Sequence, residues 1–162
     1  MSRLDSFIRR LQAQRACLEA AVALIAGLDG AVLELGLGNG RTFDHMRKLC
    51  PDREIFRFDR QVVAHPDCAP AADHLFLGEL TETLPLALTR LGGRAALVHM
   101  DIGSGDEAAS RKLAAAIAPM IRALMQPGGI VVSDQPLALG GLTAIPPPKD
   151  VKPGRYFLCR AS

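Results

Sequence analysis

The segment Val32 to Thr42, V-L-E-L-G-L-G-N-G-R-T, constrains the fold most strongly, because an apolar run leads into three glycines at alternate positions. The apolar run is typical of a strand, and the pattern from Arg41 to Leu49 is typical of a helix. Alternate glycines let the backbone turn tightly and approach a ligand, while the following helix presents free N–H groups. The segment therefore predicts a strand, a nucleotide- or nucleoside-binding turn and a helix.

Strand-like and helix-like segments alternate through most of the chain. The predicted strands are 31–35, 55–59, 74–77, 95–101 and 130–134, and the predicted helices are 3–27, 41–49, 83–91 and 107–125. Short loops between such units imply parallel strands joined by right-handed crossovers. The pattern predicts an α/β fold, a three-layer, doubly wound, Rossmann-like sheet that is mostly parallel and carries helices on both faces.

The C-terminal part departs from this alternation. Residues 135–154 include six Gly and Pro residues between 140 and 153 and cannot carry a long helix. We expect Leu142–Ile145 and Arg155–Arg160 to pair as an antiparallel hairpin at the sheet edge. The predicted organisation is one domain over 1–162, with an N-terminal helix at 1–28, a cofactor-binding core at 30–135 and a trimmed edge at 136–162.

The composition of the chain argues against several kinds of binding partner. The 162 residues are 49% hydrophobic, and 19 basic against 17 acidic side chains give a net charge of +2, which argues against a nucleic-acid partner. No uninterrupted apolar stretch is long enough to span a bilayer, so no membrane partner is expected. The four cysteines have no zinc or dithiol spacing and are expected to be reduced. We expect a cytoplasmic protein.

The glycine turn admits three interpretations. In the dinucleotide fingerprint G-x-G-x-x-G the third glycine comes three positions after the second, whereas Gly40 comes two positions after Gly38 and Arg41 stands in the fingerprint position. This spacing disfavours an NAD(P)-dependent oxidoreductase. A turn that binds nothing is the second alternative, and a nucleoside-binding turn of another class is the favoured one.

The residues Glu34, Gly36, Gly38 and Gly40 resemble the E-x-G-x-G-x-G signature of class I S-adenosylmethionine-dependent methyltransferases. L-M-Q-P-G-G-I-V-V-S-D, residues 124–134, is similar to that family's entry to strand five. The resemblance covers about residues 30–135 and implies S-adenosyl-L-methionine as the cofactor.

The resemblance also implies roles for residues at the ends of the predicted strands. Asp59 stands where the family's acidic residue holds the ribose hydroxyls, and a carboxylate can accept from both. Gly78 and Glu79 stand where the family commonly has Gly-Asp near the adenine. The cofactor-binding set implied in this way is Glu34, Gly36, Gly38, Asn39, Gly40, Thr42, Asp59, Arg60, Gly78, Glu79 and Asp101.

The chain is also similar to a small bacterial group of S-adenosyl-L-methionine methyltransferases that share L-E-L-G-L-G-N-G-R-T and an Arg-rich first helix. The chain departs from the wider family in two ways: Glu79 replaces the usual Asp, and the C-terminal part is shortened. The shortened C-terminal part affects the half of the site that would bind the substrate. The implied function is methyl transfer to a small-molecule acceptor. A non-catalytic cofactor-binding or scaffold protein is the alternative, because Asp101-Ile102-Gly103-Ser104 replaces an N-P-P-Y type motif.

Methyl transfer needs a base only if the acceptor must lose a proton. The catalytic candidates are Asp101, His99 and Asp134, although the alternation of His99 with apolar neighbours is more typical of a packed strand histidine. Asp101, Asp134 and Gln135 are similar to the Mg²⁺ site of catechol O-methyltransferase-like enzymes, with Gln135 in the Asn position. The favoured interpretation has no metal, with Asp101 on the methionine amine and Asp134 solvated.

The N-terminal helix carries an apolar stripe. Its seven-residue repeat is Leu4, Leu11, Leu18 and Ile25, and Arg3, Arg10 and Gln14 are expected to fall away from it. Because the tail lacks a covering helix, apolar surface near Ile130, Val132 and Phe157 is expected to stay uncovered. This favours a homodimer, and the alternative is that the helix covers its own sheet.

Overall fold

The computed structural model describes residues 2–36, 38–61, 65–68 and 70–162. The helices are α1 (Arg3–Leu24), α2 (Arg41–Leu49), α3 (Leu80–Leu91) and α4 (Glu107–Leu124). The strands are β1 (Ala31–Leu35), β2 (Ile55–Asp59), β3 (Leu75–Leu77), β4 (Ala95–Met100), β5 (Met125–Ser133), β6 (Leu142–Ile145) and β7 (Phe157–Ala161). Short 3₁₀ turns lie at Pro66–Cys68 and Ala72–His74.

The seven strands form one sheet in the order β3-β2-β1-β4-β5-β7-β6. The pairs among β1 to β5 are parallel, while β7 runs antiparallel to both β5 and β6. This confirms the predicted mostly parallel sheet with a C-terminal antiparallel edge. The chain order reverses at β1 and β4, so the carboxyl ends of these strands border the crevice in which open α/β sheets bind ligands.

The bounds of β1, α2 and β2 agree with the sequence pattern, whereas two elements begin earlier than predicted. Helix α3 begins at Leu80 rather than Thr83, because the Glu79 carbonyl already accepts from the N–H groups of Glu82 and Thr83. Strand β5 begins at Met125 rather than Ile130, because Met125 pairs with Ala95 ahead of a register shift on β4. Strand pairing therefore extends β5 beyond its local pattern, whereas hydrogen bonds to the Glu79 carbonyl extend α3.

Two apolar cores lie on opposite faces of the sheet. One buries side chains of α3 and α4 against the sheet, including Leu84, Ile121, Leu33, Leu35, Val98 and Val131. The other buries side chains of α1 and α2, including Cys17, Leu18, Met46, Val32, Leu97, Ile130, Val132 and Leu158. Alternate residues of each central strand thus point to opposite layers.

The expectation that the sheet near Ile130 and Val132 stays uncovered is wrong. Both side chains are fully buried, in the same core as Leu18 and Ile25 of the N-terminal segment, while Phe157 is half-buried. Helix α1 covers its own sheet, which was the alternative arrangement. The placement expected for Gln14 is also wrong, because its side chain is buried on the sheet side of α1.

None of the described helices is long and apolar enough to cross a membrane. All four cysteines are free; Cys17, Cys50 and Cys159 are buried and Cys68 is half-buried.

Candidate active site

A cleft of about 380 Å³ lies at the carboxyl ends of β1, β2, β3 and β4. Its lining includes the predicted residues Gly36, Gly38, Asp59, Arg60, Gly78, Glu79 and Asp101. These residues come from four different strand ends, and the parallel topology brings them together. We call this space the first cavity.

The glycine turn forms one wall of the first cavity. Gly36 has φ +90°, and a Cβ there would lie 2.3 Å from the backbone oxygen of Asp101, so no side chain fits between the ends of β1 and β4. The N–H of Gly38 donates to the Asp59 carboxylate at 3.0 Å, and the N–H of Arg60 donates to its other oxygen at 2.6 Å. Asp59 is therefore fixed beside the turn.

A second cavity of about 260 Å³ adjoins the first, and both are lined by Gly36, Gly38, Asp101 and Gly103. The predicted residues Asn39 and Thr42 line this second cavity. Helix α1 supplies the opposite wall with Phe7, Arg10, Leu11 and Gln14. No sequence motif indicates that α1 belongs to the site. The one signal is the four-residue spacing of Arg10 and Gln14, which puts two polar side chains on one helix face.

Glu34 and Gly40 line neither cavity. Glu34 is fully buried, where it accepts a hydrogen bond from the Thr42 hydroxyl and pairs with Nδ1 of His99 at 2.9 Å. Gly40 is the buried N-cap residue of α2, with φ +81°. Glu34 therefore joins β1 to α2 and β4, and holds Thr42 in the wall of the second cavity, rather than facing a cofactor itself.

His99 lies within the sheet layer, as its alternation with apolar neighbours predicts. It is fully buried, and its Nε2 lies 3.4 Å from Nε2 of Gln14. Burial opposes the charged imidazolium, but the Glu34 carboxylate raises the pKa of His99 above its ordinary value. The side chain lines neither cavity, so it contacts the site through Gln14.

Asp101 lines both cavities and is held by α1 on each carboxylate oxygen. Nη2 of Arg10 donates to Oδ1 at 2.6 Å, and Nε2 of Gln14 donates to Oδ2 at 2.8 Å. The Asp101 side chain is 21% exposed. Asp101 is thus the one catalytic candidate that reaches the cavities, and it does so as half of an ion pair.

Asp134 holds the loop after β4. Its carboxylate accepts from the N–H groups of Ile102 at 3.3 Å and Gly103 at 2.9 Å, and from Nε2 of Gln135 at 3.3 Å. Burial, and then the charge of Asp101, raise the pKa of Asp134. The expectation that this side chain is solvated is therefore wrong.

The residues Asp101, Asp134 and Gln135 do not fit a magnesium ion. The guanidinium of Arg10 stands 2.6 Å from Asp101, where a cation would have to compete with it, and Asp134 is directed at backbone N–H groups. In the described ranges, no group of three or more His, Cys, Asp or Glu side chains is arranged to hold a metal. We derive no step through a metal.

A buried charged row crosses the sheet behind the site. Arg57 of β2 pairs in register with Glu34, and Glu34 pairs in register with His99. Arg57 is fully buried, donates to the carbonyl of Cys68 at 2.7 Å and lies 3.6 Å above the Phe43 ring. Burial lowers the pKa of Arg57 to about 10. Opposite charges on adjacent strands compensate one another here.

The parallel sheet, its antiparallel C-terminal edge and the glycine turn beside a strand-end cleft define a Rossmann-like fold of the methyltransferase type. The S-adenosyl-L-methionine methyltransferase family matches residues 1–161. The chain belongs to this family, which confirms the resemblance drawn from its motifs.

Solved structures agree with this assignment. An S-adenosyl-L-methionine methyl transferase from Silicibacter pomeroyi DSS-3 is 45% identical, with a TM-score of 0.95 over 100% of this chain and 99% of that one. The antibiotic-resistance methyltransferase Kmr is similar at 16% identity and a TM-score of 0.55, over 91% of this chain and 92% of its own.

TrmN from Thermus thermophilus is similar at 15% identity and a TM-score of 0.57, over 88% of this chain and 48% of its own. At these low identities, Kmr and TrmN show the shared fold alone. A comparison with curated proteins finds no match.

Proposed function

We propose that the chain transfers the methyl group of S-adenosylmethionine to a small-molecule acceptor. The observation that carries the proposal is the place of Asp59, whose carboxylate is fixed beside the glycine turn in a cavity of about 380 Å³. A carboxylate accepts from both hydroxyls of a ribose, and the glycines leave space for the ligand. Gly36, Gly38, Asp59, Arg60, Gly78 and Glu79 would hold the cofactor, which supplies the activated methyl group when bound.

We also infer that the acceptor reacts without losing a proton to His99, Asp134 or Asp101. His99 and Asp134 line neither cavity, and the negative charge of Asp101 is already compensated by its ion pair with Arg10. Methyl transfer mainly requires that the acceptor nucleophile is aligned with the methyl group. A nucleophile that carries no proton therefore needs no base. The same arrangement supports the alternative function, a protein that binds the cofactor without catalysing transfer.

Thermal unfolding with and without ligand tests cofactor binding. S-adenosylmethionine and S-adenosylhomocysteine at 100 times their Kd are expected to add about 2.7 kcal/mol to the free energy of unfolding. NADH at the same concentration is the control for the oxidoreductase alternative. Stabilisation by NADH and not by S-adenosylmethionine would refute the proposed function. Formation of S-adenosylhomocysteine with a panel of small acceptors then separates an enzyme from a binding protein.

We further propose that the chain is a homodimer in the cytoplasm. Leu4, Phe7 and Ile8, at the start of α1, are 65%, 45% and 43% exposed, and a second copy could cover them. Four free cysteines suit a reducing compartment. The dimer proposal therefore rests on these exposed side chains and not on the strand surface that α1 covers.

A further inference from the structure

The side chains that line the second cavity carry a net positive charge. Two of its lining residues, Arg10 and Arg41, are cationic, and Asp101 is the one acidic residue among the described residues that line it. Phe7 and Leu11 add apolar surface on the same wall. Since Arg10 and Asp101 already form an ion pair, a ligand with one negative charge would balance the positive charge that remains.

The ion pair fixes the direction of Arg10. The Arg10 side chain is 41% exposed and uses Nη2 for its hydrogen bond to Asp101. A guanidinium has five N–H donors, and within the described part of the chain no second acceptor bonds this one. Its remaining donors are therefore available at the cavity.

Gln14 keeps Asp101 from rotating away from Arg10. It donates to the second oxygen of Asp101 at 2.8 Å and is itself buried against His99. Asp101 is thus held between two side chains of α1. In this arrangement Asp101 is the orienting partner, and Arg10 is the group that presents donors to a ligand.

We propose that Arg10 is a ligand-binding residue and that the second cavity receives a carboxylate. A guanidinium offers parallel N–H donors that match the two oxygens of a carboxylate. The inference rests on the proposed function, which supplies two sources of this group. One source is the carboxylate of the methionine part of S-adenosylmethionine, and the other is a carboxylate of the acceptor.

The test compares Arg10→Gln with Arg9→Gln, a neighbouring exposed arginine that does not line either site cavity. Calorimetry measures the Kd of S-adenosylmethionine and of decarboxylated S-adenosylmethionine, which keeps the amine and lacks the carboxylate. If the cofactor supplies the carboxylate, Arg10→Gln raises the Kd of S-adenosylmethionine about tenfold or more. The Kd of the decarboxylated compound stays unchanged. Arg10→Lys, which keeps the charge, recovers part of the affinity.

A second arm tests the acceptor as the source. Benzoate and benzamide are titrated into protein saturated with S-adenosylhomocysteine. If the acceptor supplies the carboxylate, benzoate binds to the wild type and to Arg9→Gln, benzamide does not, and Arg10→Gln loses the benzoate.

Two outcomes would overturn the inference. In the first, Arg10→Gln behaves like Arg9→Gln toward every probe. In the second, it weakens both cofactor compounds equally, which indicates a general loss of structure that a thermal melt would also show. In both of these cases the wild type still binds S-adenosylmethionine, whereas failure of the proposed function shows as a wild type that binds neither cofactor compound.

Discussion

Gln14 donates a hydrogen bond of 2.8 Å to the carboxylate of Asp101, although 87 residues separate the two in the chain. The same amide nitrogen lies 3.4 Å from Nε2 of His99, so one buried side chain links α1 to two residues at the end of β4. Helix α1 therefore does more than cover the sheet. It fixes the orientation of the acidic group that both cavities share.

Replacing Gln14 is expected to destabilise the fold. Gln14→Leu removes a donor from Asp101 and leaves Nε2 of His99 buried without its neighbour, at a cost of about 1 to 3 kcal/mol in the free energy of unfolding. Gln12→Leu makes the same chemical change on the exposed side of α1 and is expected to alter stability by less than about 0.5 kcal/mol. Urea denaturation measures both. Equal effects of the two variants would contradict a buried structural role for the Gln14 amide.

Removing the carboxylate of Asp59 is expected to weaken cofactor binding. Asp59→Ala takes away a charged acceptor from the ribose and a partner from the Gly38 N–H, a loss of about 1.5 to 3 kcal/mol, or about 10- to 150-fold in Kd. Asp52→Ala, at an exposed position outside the first and second cavities, is the matched control. Calorimetric titration with S-adenosylhomocysteine measures the change. An unchanged Kd for Asp59→Ala would remove Asp59 from the binding set.

The fold could be predicted from local sequence pattern to a large extent, because alternating strand and helix signals determine a parallel sheet. The strand ends also predicted which residues gather at one edge, as Asp59, Gly78 and Asp101 do. The network formed by Gln14, His99 and Glu34 could not be predicted in this way. Its contacts depend on where α1 docks against the sheet, and the spacing of Arg10 and Gln14 indicates only that two polar side chains share one helix face.

The contacts of Glu34 also could not be predicted from the sequence, although its motif position is recognisable. A signature position indicates that an acidic residue is needed there, but not which atoms it contacts. The register places Glu34 between Arg57 and His99 on neighbouring strands, and its oxygens meet Thr42 and His99 rather than a cavity. Glu34 contacts these residues because the covering helices bury it, and the motif does not indicate that burial.

Stability is expected to fall as the pH rises above the ordinary range of histidine. Burial opposes the charge of His99, but Glu34 raises its pKa above the reference value of 6.5, so the folded state binds this proton more tightly than the unfolded state. The contribution is complete below about pH 6.5 and is lost as the pH rises through the folded pKa. The slope reaches at most about 1.4 kcal/mol per pH unit.

Glu34→Gln keeps hydrogen-bonding atoms but removes the charge, and is expected to flatten this dependence. His74 also has a raised pKa, through its hydrogen bond to Asp73, so both proteins are compared in a His74→Gln background. Urea denaturation from pH 6 to pH 9 gives the two slopes. The free energy of unfolding is plotted against pH for the His74→Gln protein with and without Glu34→Gln. Parallel curves would show that the pair of His99 and Glu34 does not bind a proton in this range.

Gly36 is expected to tolerate no side chain. Its φ of +90° disfavours any other residue, and a Cβ would lie 2.3 Å from the Asp101 backbone oxygen. Gly36→Ala is therefore expected to cost more than about 2 kcal/mol and to weaken S-adenosylhomocysteine binding. Gly27→Ala, where a Cβ has no atom within 4 Å, is the control. Thermal melts and calorimetry that agree for the two variants would contradict a close approach of β1 and β4.

The chain is expected to associate as a dimer through the start of α1. Leu4 and Ile8 are one helical turn apart and both are largely exposed, so a second copy that covers them buries apolar surface on both partners. Leu4→Glu together with Ile8→Glu places charges on this surface and is expected to convert the dimer to a monomer. The paired control is Leu86→Glu, because Leu86 is 62% exposed on α3 and distant in the chain. Light scattering across a dilution series measures the mass, and a wild type that has the mass of one chain at high micromolar concentration would refute the dimer.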